Sequence, residues 1–234
     1  MDTKIKAVLE SISTATLTTV LLKKGLRNVW LRGAFPKQPD QKRVVGTAFT
    51  LRFVPAREDL ATPASWASPI STRAAIEAMD EGVIAVADAM GVSDAGIFGD
   101  ILCARMARRK VAALITDGVV RDMEGVLATG LPVWCAGAAA PPSVAGLTFV
   151  NWQEPIACGG VAIFPGDTIV ADGDGAVVIP QAMLADVTQL AAEQEAQESW
   201  IMGEVQKGVP LPGLYPPNDE NKAKYAAWRK AQKD

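Results

Sequence analysis

Apolar residues recur at helical spacing near the start of the chain. Ile5, Val8, Leu9 and Ile12 stand at i, i+3, i+4 and i+7, which predicts a helix from residue 3. Ser13 and Thr14 interrupt the pattern, and a second short helix runs over 16–24 until Gly25 ends it. Residues 26–43, with Pro36, Pro39 and several charges, read as loop. Residues 44–54 read as a strand stopped by Pro55, and 57–70 as a polar loop holding Pro63 and Pro69. A helix over 71–80, a buried strand over 83–87, a loop over 91–96 and a helix over 99–109 follow. Then come a strand over 111–116, a helical turn over 123–129 and a strand over 132–136.

After residue 147 the rhythm changes. Short apolar runs at 147–150, 161–163, 168–171 and 176–179 alternate with Gly and Pro turns, which predicts a sheet that folds over or pairs antiparallel. Helix resumes over 181–207, ahead of a Pro-rich tail over 208–220 and a short helix from Asn221, expected to pack on a neighbouring subunit. The organisation expected is one α/β domain over 1–207 followed by the tail 208–234.

Composition narrows the chemistry. Net charge is −3, so the basic stripe that marks nucleic-acid binding is absent; Arg105, Arg108, Arg109 and Lys110 read as a solvated helix end. Residues 125–153 carry no charge and are long enough to span a membrane. Pro132, Pro141, Pro142 and four glycines break that stretch, however, and broken backbone is not tolerated in lipid. The opening MDTKIKAVLESIS lacks the apolar segment of a signal peptide. Cys103, Cys135 and Cys158 are odd in number and form no CxxC pair; small buried thiols in the reducing cytoplasm are expected. Histidine is absent, which removes Ser-His-Asp and Cys-His catalysis and His-ligated zinc. Carboxylates and water as the remaining ligands point to Mg²⁺ or Mn²⁺.

The most informative passage is 87–122. A strand ends at Asp88, and the loop behind it holds Asp94, Gly96, Gly99 and Asp100. The next strand runs straight into Asp117-Gly118-Val119-Val120-Arg121-Asp122. In α/β proteins ligands bind beyond the carboxyl ends of strands, and the first turn of the helix from 99 offers free N–H groups to an anion. Each residue alone has a plainer reading. Asp100 would cap its helix, Arg121 and Asp122 would form a surface ion pair or cap the helix from Met123, and Asp117-Gly118 would make a turn. Asp88 and Asp94 would either approach the site or cap loops. No lysine lies in the motif, and Lys110 is at the wrong end of its strand for an imine mechanism.

The run GDILCARMARRKVAALITDGVVRD, the ATGLPVW after it and the later PGDTIVADGDGAVVIP resemble the signature of the RraA-like family. That family includes the regulator of RNase E activity and the 4-hydroxy-4-methyl-2-oxoglutarate and 4-carboxy-4-hydroxy-2-oxoadipate aldolases. STATL at 13–17 resembles the family's opening, with Thr18-Thr19 where Ser-Asp is usual; in all, the resemblance covers roughly residues 8–195. It implies an α/β swivelling β/β/α sandwich with N- and C-terminal helices, assembled as a homo-oligomer (trimer or hexamer) with sites between subunits. By position, Arg121 matches the arginine that binds the pyruvyl group, Asp122 the carboxylate that positions a divalent metal partly through waters, and Asp100 the aspartate that holds a proton-transferring water. The backbone of Gly99, Asp100, Ile101 and Leu102 matches the loop that receives the substrate carboxylate. A glutamate from an adjacent subunit is also implied, with Glu195 and Glu198 as candidates.

The function implied is a metal-dependent lyase that cleaves a 4-hydroxy-2-oxo acid to release pyruvate, with oxaloacetate decarboxylation through the same enolate. The alternatives are a related enzyme on a different acid, such as one derived from a sugar acid, and a non-catalytic regulator that binds an RNA-processing enzyme such as RNase E. An acid at position 100 favours the enzymatic branch. Asp167, Asp172 and Asp174 read as turn residues beside glycine. PAREDLATPASWASP, around 55–70, is longer than in compact members and is expected to reshape the pocket.

Overall fold

The structure, a computed structural model, describes residues 1–232. The first helical pattern splits in two. Helix α1 (Thr3–Leu9) is capped by Asp2, and α2 (Thr14–Lys23) by Ser13, whose hydroxyl accepts from the Thr16 N–H at 3.0 Å. Side-chain caps satisfy first-turn N–H groups that have no partner within the helix.

Strand β2 (Val44–Pro55) is the spine of the sheet. Through Ala48–Arg52 it pairs in parallel with β3 (Ile84–Asp88), which pairs in parallel with β4 (Ala113–Thr116), and that in turn with β6 (Val133–Cys135). A two-residue strand, β1 (Phe35–Pro36), closes this side on β6. Through Val44–Thr47, β2 pairs antiparallel with β9 (Thr168–Asp172), which pairs with β10 (Gly175–Ile179). Through Leu51–Pro55, across an irregularity at Arg52/Phe53, it pairs antiparallel with β8 (Leu147–Trp152). The sheet therefore turns over about β2, as the short alternating runs after residue 147 predict.

Side chains of a strand alternate between its faces, and here each face has its own core. Ile84, Val86, Ala113, Ile115 and Trp134 pack with α1, α2 and the long α6 (Leu184–Gln206). Ala85, Ala87, Leu114, Val133 and Cys135 pack with residues of α3 (Thr72–Glu77), α4 (Asp100–Arg108) and α5 (Met123–Ala128). Strands buried on both faces carry near-continuous apolar runs, which is why IAVAD and ALIT signal so clearly.

Two expectations are corrected. Residues 161–163 form no strand: Gly159 and Gly160, at φ 61° and 73°, bend the chain into a short 3₁₀ turn (Cys158–Gly160), leaving one bridge between Ile156 and Ile163. The loop 26–43 contributes β1 and a bridge from Trp30 to Val177. The terminal helix α7 (Asp219–Ala231) packs on its own chain, where Trp200, Ile201, Leu214 and Tyr225 form a small core and the Tyr225 hydroxyl donates to Glu193 at 2.6 Å. Among the described residues no single helix is long and apolar enough to cross a membrane, and residues 125–153 fold as short elements.

Candidate active site

Strands β3 and β4 lie side by side and in parallel, with Ala87 opposite Thr116, so both deliver their following loops to one edge of the sheet. The chain after β4 forms a two-residue strand, β5 (Val119–Val120), which pairs with β7 (Gly137–Ala138). This small second sheet grips the loop after β3. Ile97 N–H donates to the Val119 carbonyl at 3.0 Å, Gly96 N–H to Pro141 at 2.9 Å, and Arg121 N–H to Phe98 at 2.9 Å. Arg121 is thereby fixed beside the start of α4. The approach is close: a methyl group at position 99 would come within 3.0 Å of Asp122 Oδ2 and 3.2 Å of Arg121 Cγ. Gly99 has ordinary extended backbone, so it is there for space and not for its φ angle.

The result is a cleft of about 260 Å³ whose walls include Gly99, Asp100, Ile101, Leu102, Arg121 and Asp122. The sequence-predicted site residues thus meet in one place. Asp122 precedes α5 in left-handed backbone (φ 53°, ψ 45°) and makes no capping bond, a conformation uncommon for a residue with a side chain. Its carboxylate turns back to Arg121, Oδ2 accepting from Nε at 3.0 Å, and the two side chains remain 49% and 38% exposed. The remaining Asp122 oxygen and the terminal nitrogens of Arg121 have no protein partner among the described residues.

Asp100 opens α4, but Gly99 holds the cap position; Asp100 Oδ1 accepts only from the adjacent Ile101 N–H, at 2.7 Å. Cys103 is the first residue of the helix whose N–H reaches a backbone carbonyl, that of Gly99 at 3.0 Å. The N–H groups before it are the helix's anion-binding end. Gly125 of α5 stands against Asp100, where a methyl group would come within 2.8 Å of Asp100 Cβ and 3.1 Å of Oδ2.

The other acids do different work. Asp88 accepts from the Met90 and Ala157 N–H groups at 3.1 and 2.9 Å, so it ties loops together. Asp117 is buried and bridges Ala89 N–H (2.8 Å) and Gly159 N–H (3.0 Å). Burial raises its carboxyl above the usual range, and those two donors partly offset this. Asp167 binds the N–H groups of Phe164 and Gln181 at 2.9 and 3.1 Å, a turn role. Asp172 binds the Asp174 N–H at 3.0 Å and, besides, Thr14 and Arg43. Asp94 is exposed and does not line the cleft. Glu195 and Glu198 do not line it either: they face α2, accepting from Ser13 N–H (3.4 Å) and Thr16 Oγ1 (3.2 Å). All three cysteines are buried, and burial drives the Cys103 thiol up to about 12. Among the described residues, no three His, Cys, Asp or Glu side chains gather into a ready metal cage.

Residues 14–178 match the model of the RraA-like family, described as Aldolase/RraA. The chain belongs to that family. It is similar to "Putative 4-hydroxy-4-methyl-2-oxoglutarate aldolase" of Halalkalibacterium halodurans, 36% identical over 53% of this chain and 60% of the relative. It is also similar to protein DlpA of Legionella pneumophila, 29% identical over 72% of this chain and 26% of that one. The chain thus spans less than two thirds of the length of these curated relatives. Among solved structures it resembles RraAS2 of Streptomyces coelicolor, described as an unusual member of the RNase ES inhibitor RraA protein family. The TM-score is 0.76 and the identity 33%, over 86% of this chain and 96% of that one. The RraA-like sandwich expected from the motifs is the fold observed. The names of these relatives thus include both a putative aldolase and a member of an RNase ES inhibitor family.

Two features of this RraA-like cleft escape sequence reasoning. Trp66 and Arg73 form part of its wall, with the Arg73 guanidinium 5.0 Å above the Trp66 ring. Only the extra length of the 55–70 segment hinted at them. Gly125 had a clearer signal, since a glycine inside a helical turn costs about 1 kcal/mol against alanine and needs a reason.

Proposed function

We propose that this cleft is the active site of a divalent-metal-dependent lyase that cleaves a 4-hydroxy-2-oxo acid and releases pyruvate. The observation that carries the reading is that Arg121 and Asp122 both line the cleft, Asp122 in left-handed backbone without capping its helix, beside the first turn of α4. A hydrated Mg²⁺ or Mn²⁺ fits the donor set, because such ions are held by one or two carboxylates and keep several waters. Asp122 would hold it through its free oxygen and through water, with Asp100 on the same cleft wall. When bound, the ion supplies Lewis-acid stabilisation of charge on the 2-oxo oxygen.

The chain's own groups do the rest. The first-turn N–H groups of α4 that Asp100 does not take receive the substrate carboxylate. The terminal nitrogens of Arg121 face the 2-oxo oxygen and offset the charge that grows there as the C3–C4 bond breaks. Asp122, by binding Arg121 Nε, fixes the plane of that guanidinium. As the bond breaks, the 4-hydroxyl becomes the carbonyl of the leaving fragment and gives its proton to a base. Asp100, kept in place by the room at Gly125, orients the water that protonates C3 of the enolate. Loss of CO₂ from oxaloacetate yields the same enolate and is expected as a side activity. A homo-oligomer belongs to this reading, since Glu195 and Glu198 would reach a cleft only in another copy.

Pyruvate release from a panel of 4-hydroxy-2-oxo acids with Mg²⁺, abolished by EDTA and restored by metal, is the test. The name of the Streptomyces relative favours a second reading, a regulator of RNA processing. A chain that releases no pyruvate but inhibits an RNase E-type nuclease would establish that reading instead.

A further inference from the structure

The proposed chemistry leaves one cation of the cleft lining without a task. Arg73, in the first turn of α3, lines the cleft with Trp66 and Thr72. Glu77, one helical turn further on, is its natural partner, but that acid is taken by Arg105 at 2.7 Å and Arg109 at 3.3 Å. Arg73 stacks instead on Trp66, 5.0 Å from the ring centroid. Stacking occupies the face of a guanidinium and leaves its N–H edge free for a planar anion. Trp66 is itself held in a 3₁₀ turn (Pro63–Ala67), where Ser65 Oγ donates to the Thr62 carbonyl at 2.6 Å.

A cation waving in solvent gains little from an anion. One already ordered against a ring loses less freedom on binding, so more of the interaction appears as affinity. Arg121 cannot serve both ends of a substrate, because its Nε is committed to Asp122 and its remaining nitrogens to the 2-oxo group. The cleft, about 260 Å³, is also larger than a pyruvyl unit requires. Trp66, Thr72 and Ser143 are shared with a second cavity of about 470 Å³, so the lining around Arg73 does not measure length. What it offers is charge.

We propose that Arg73, held by Trp66, reads a second carboxylate at the distal end of the substrate, so that the cleft prefers a 2-oxo dicarboxylate to the corresponding monocarboxylate. This rests on reading the cleft as a 2-oxo acid site, and the test keeps the two apart. Pyruvate release from 4-hydroxy-2-oxoglutarate and from 4-hydroxy-2-oxopentanoate is measured with Mg²⁺ for the wild type, Arg73→Gln and Arg73→Lys. Arg73→Gln should lower kcat/KM for the dicarboxylate about 10- to 100-fold, mostly through KM, and leave the monocarboxylate within about threefold. Arg73→Lys should recover part of the loss. Equal losses on both substrates, or no loss on either, would overturn the proposal and leave the lyase reading standing. In parallel, calorimetry compares binding of 2-oxoglutarate and 2-oxopentanoate to the wild type and Arg73→Gln. If neither hydroxy acid is cleaved, the lyase reading falls, but an affinity preference for 2-oxoglutarate that disappears in Arg73→Gln still supports the distal site. Equal binding of the two acids, or none, overturns it.

Discussion

Two aspartates in glycine-flanked signature motifs, Asp122 and Asp172, meet opposite fates. Asp172, at the end of β9, is buried and saturated: it accepts from Thr14 N–H at 2.9 Å, Thr14 Oγ1 at 2.7 Å and Asp174 N–H at 3.0 Å, with Arg43 alongside. Asp122, at the cleft, binds only the Arg121 side chain and keeps an oxygen free. A carboxylate whose lone pairs are consumed by its own fold has nothing left for a ligand. One whose backbone is strained and whose oxygen is unspent is available for chemistry. Motif membership alone does not distinguish them.

Substitution can sharpen that contrast. Arg121→Ala should lower pyruvate release about 10²- to 10³-fold or more, while the melting temperature stays near wild type. Asp172→Ala should do the reverse. Leaving Arg43 and Thr14 without their acceptor should cost about 2–4 kcal/mol, roughly 5–15 °C in Tm, and activity per folded molecule should persist. Gly125→Ala lies between the two classes. By displacing Asp100 it should reduce kcat about 10- to 100-fold and also cost about 1–2 kcal/mol of stability, because crowding against Asp100 Cβ outweighs the helix preference of alanine. Retention of full activity in this variant would remove Asp100 from the chemistry.

The smallest effect concerns Asp117. Its carboxyl is raised in the folded protein, by burial, so the folded form holds this proton to higher pH than the unfolded chain does. Stability from this group is therefore complete at low pH and lost as pH rises from the ordinary carboxyl range through the raised folded value. Asp117→Asn should flatten that slope in urea melts across acidic pH, whatever it does to the absolute level.

Much of this organisation could be read along the chain. Strands β3, β4 and β6 announced themselves because burial on both faces forces uninterrupted apolar runs, and α1 and α2 showed both their period and their capping break. The motif residues Asp100, Arg121 and Asp122 converge because two parallel strands end at one edge, a placement that follows from the α/β pattern. Other features left no trace in spacing. The Arg73–Trp66 stack joins an irregular segment to a short helix and depends on distances that no periodicity encodes. Residues 161–163 are as apolar as a strand, but two consecutive left-handed glycines before them, invisible as such in a string of letters, divert the backbone. The docking of α7 rests on four scattered side chains, Trp200, Ile201, Leu214 and Tyr225, whose meeting depends on how the 208–220 tail folds back.

The long β2 strand has a consequence for how the molecule is made. Its first residues pair with a strand more than a hundred positions downstream, Val44 meeting Ala171, while its middle pairs with the nearby β3. During synthesis one half of this strand finds its neighbour early, and the other waits with open backbone groups until β9 emerges. Such distant pairings close slowly and leave an adhesive edge in the meantime. The nascent chain is thus most vulnerable to misassembly between the completion of β6 and the arrival of β9.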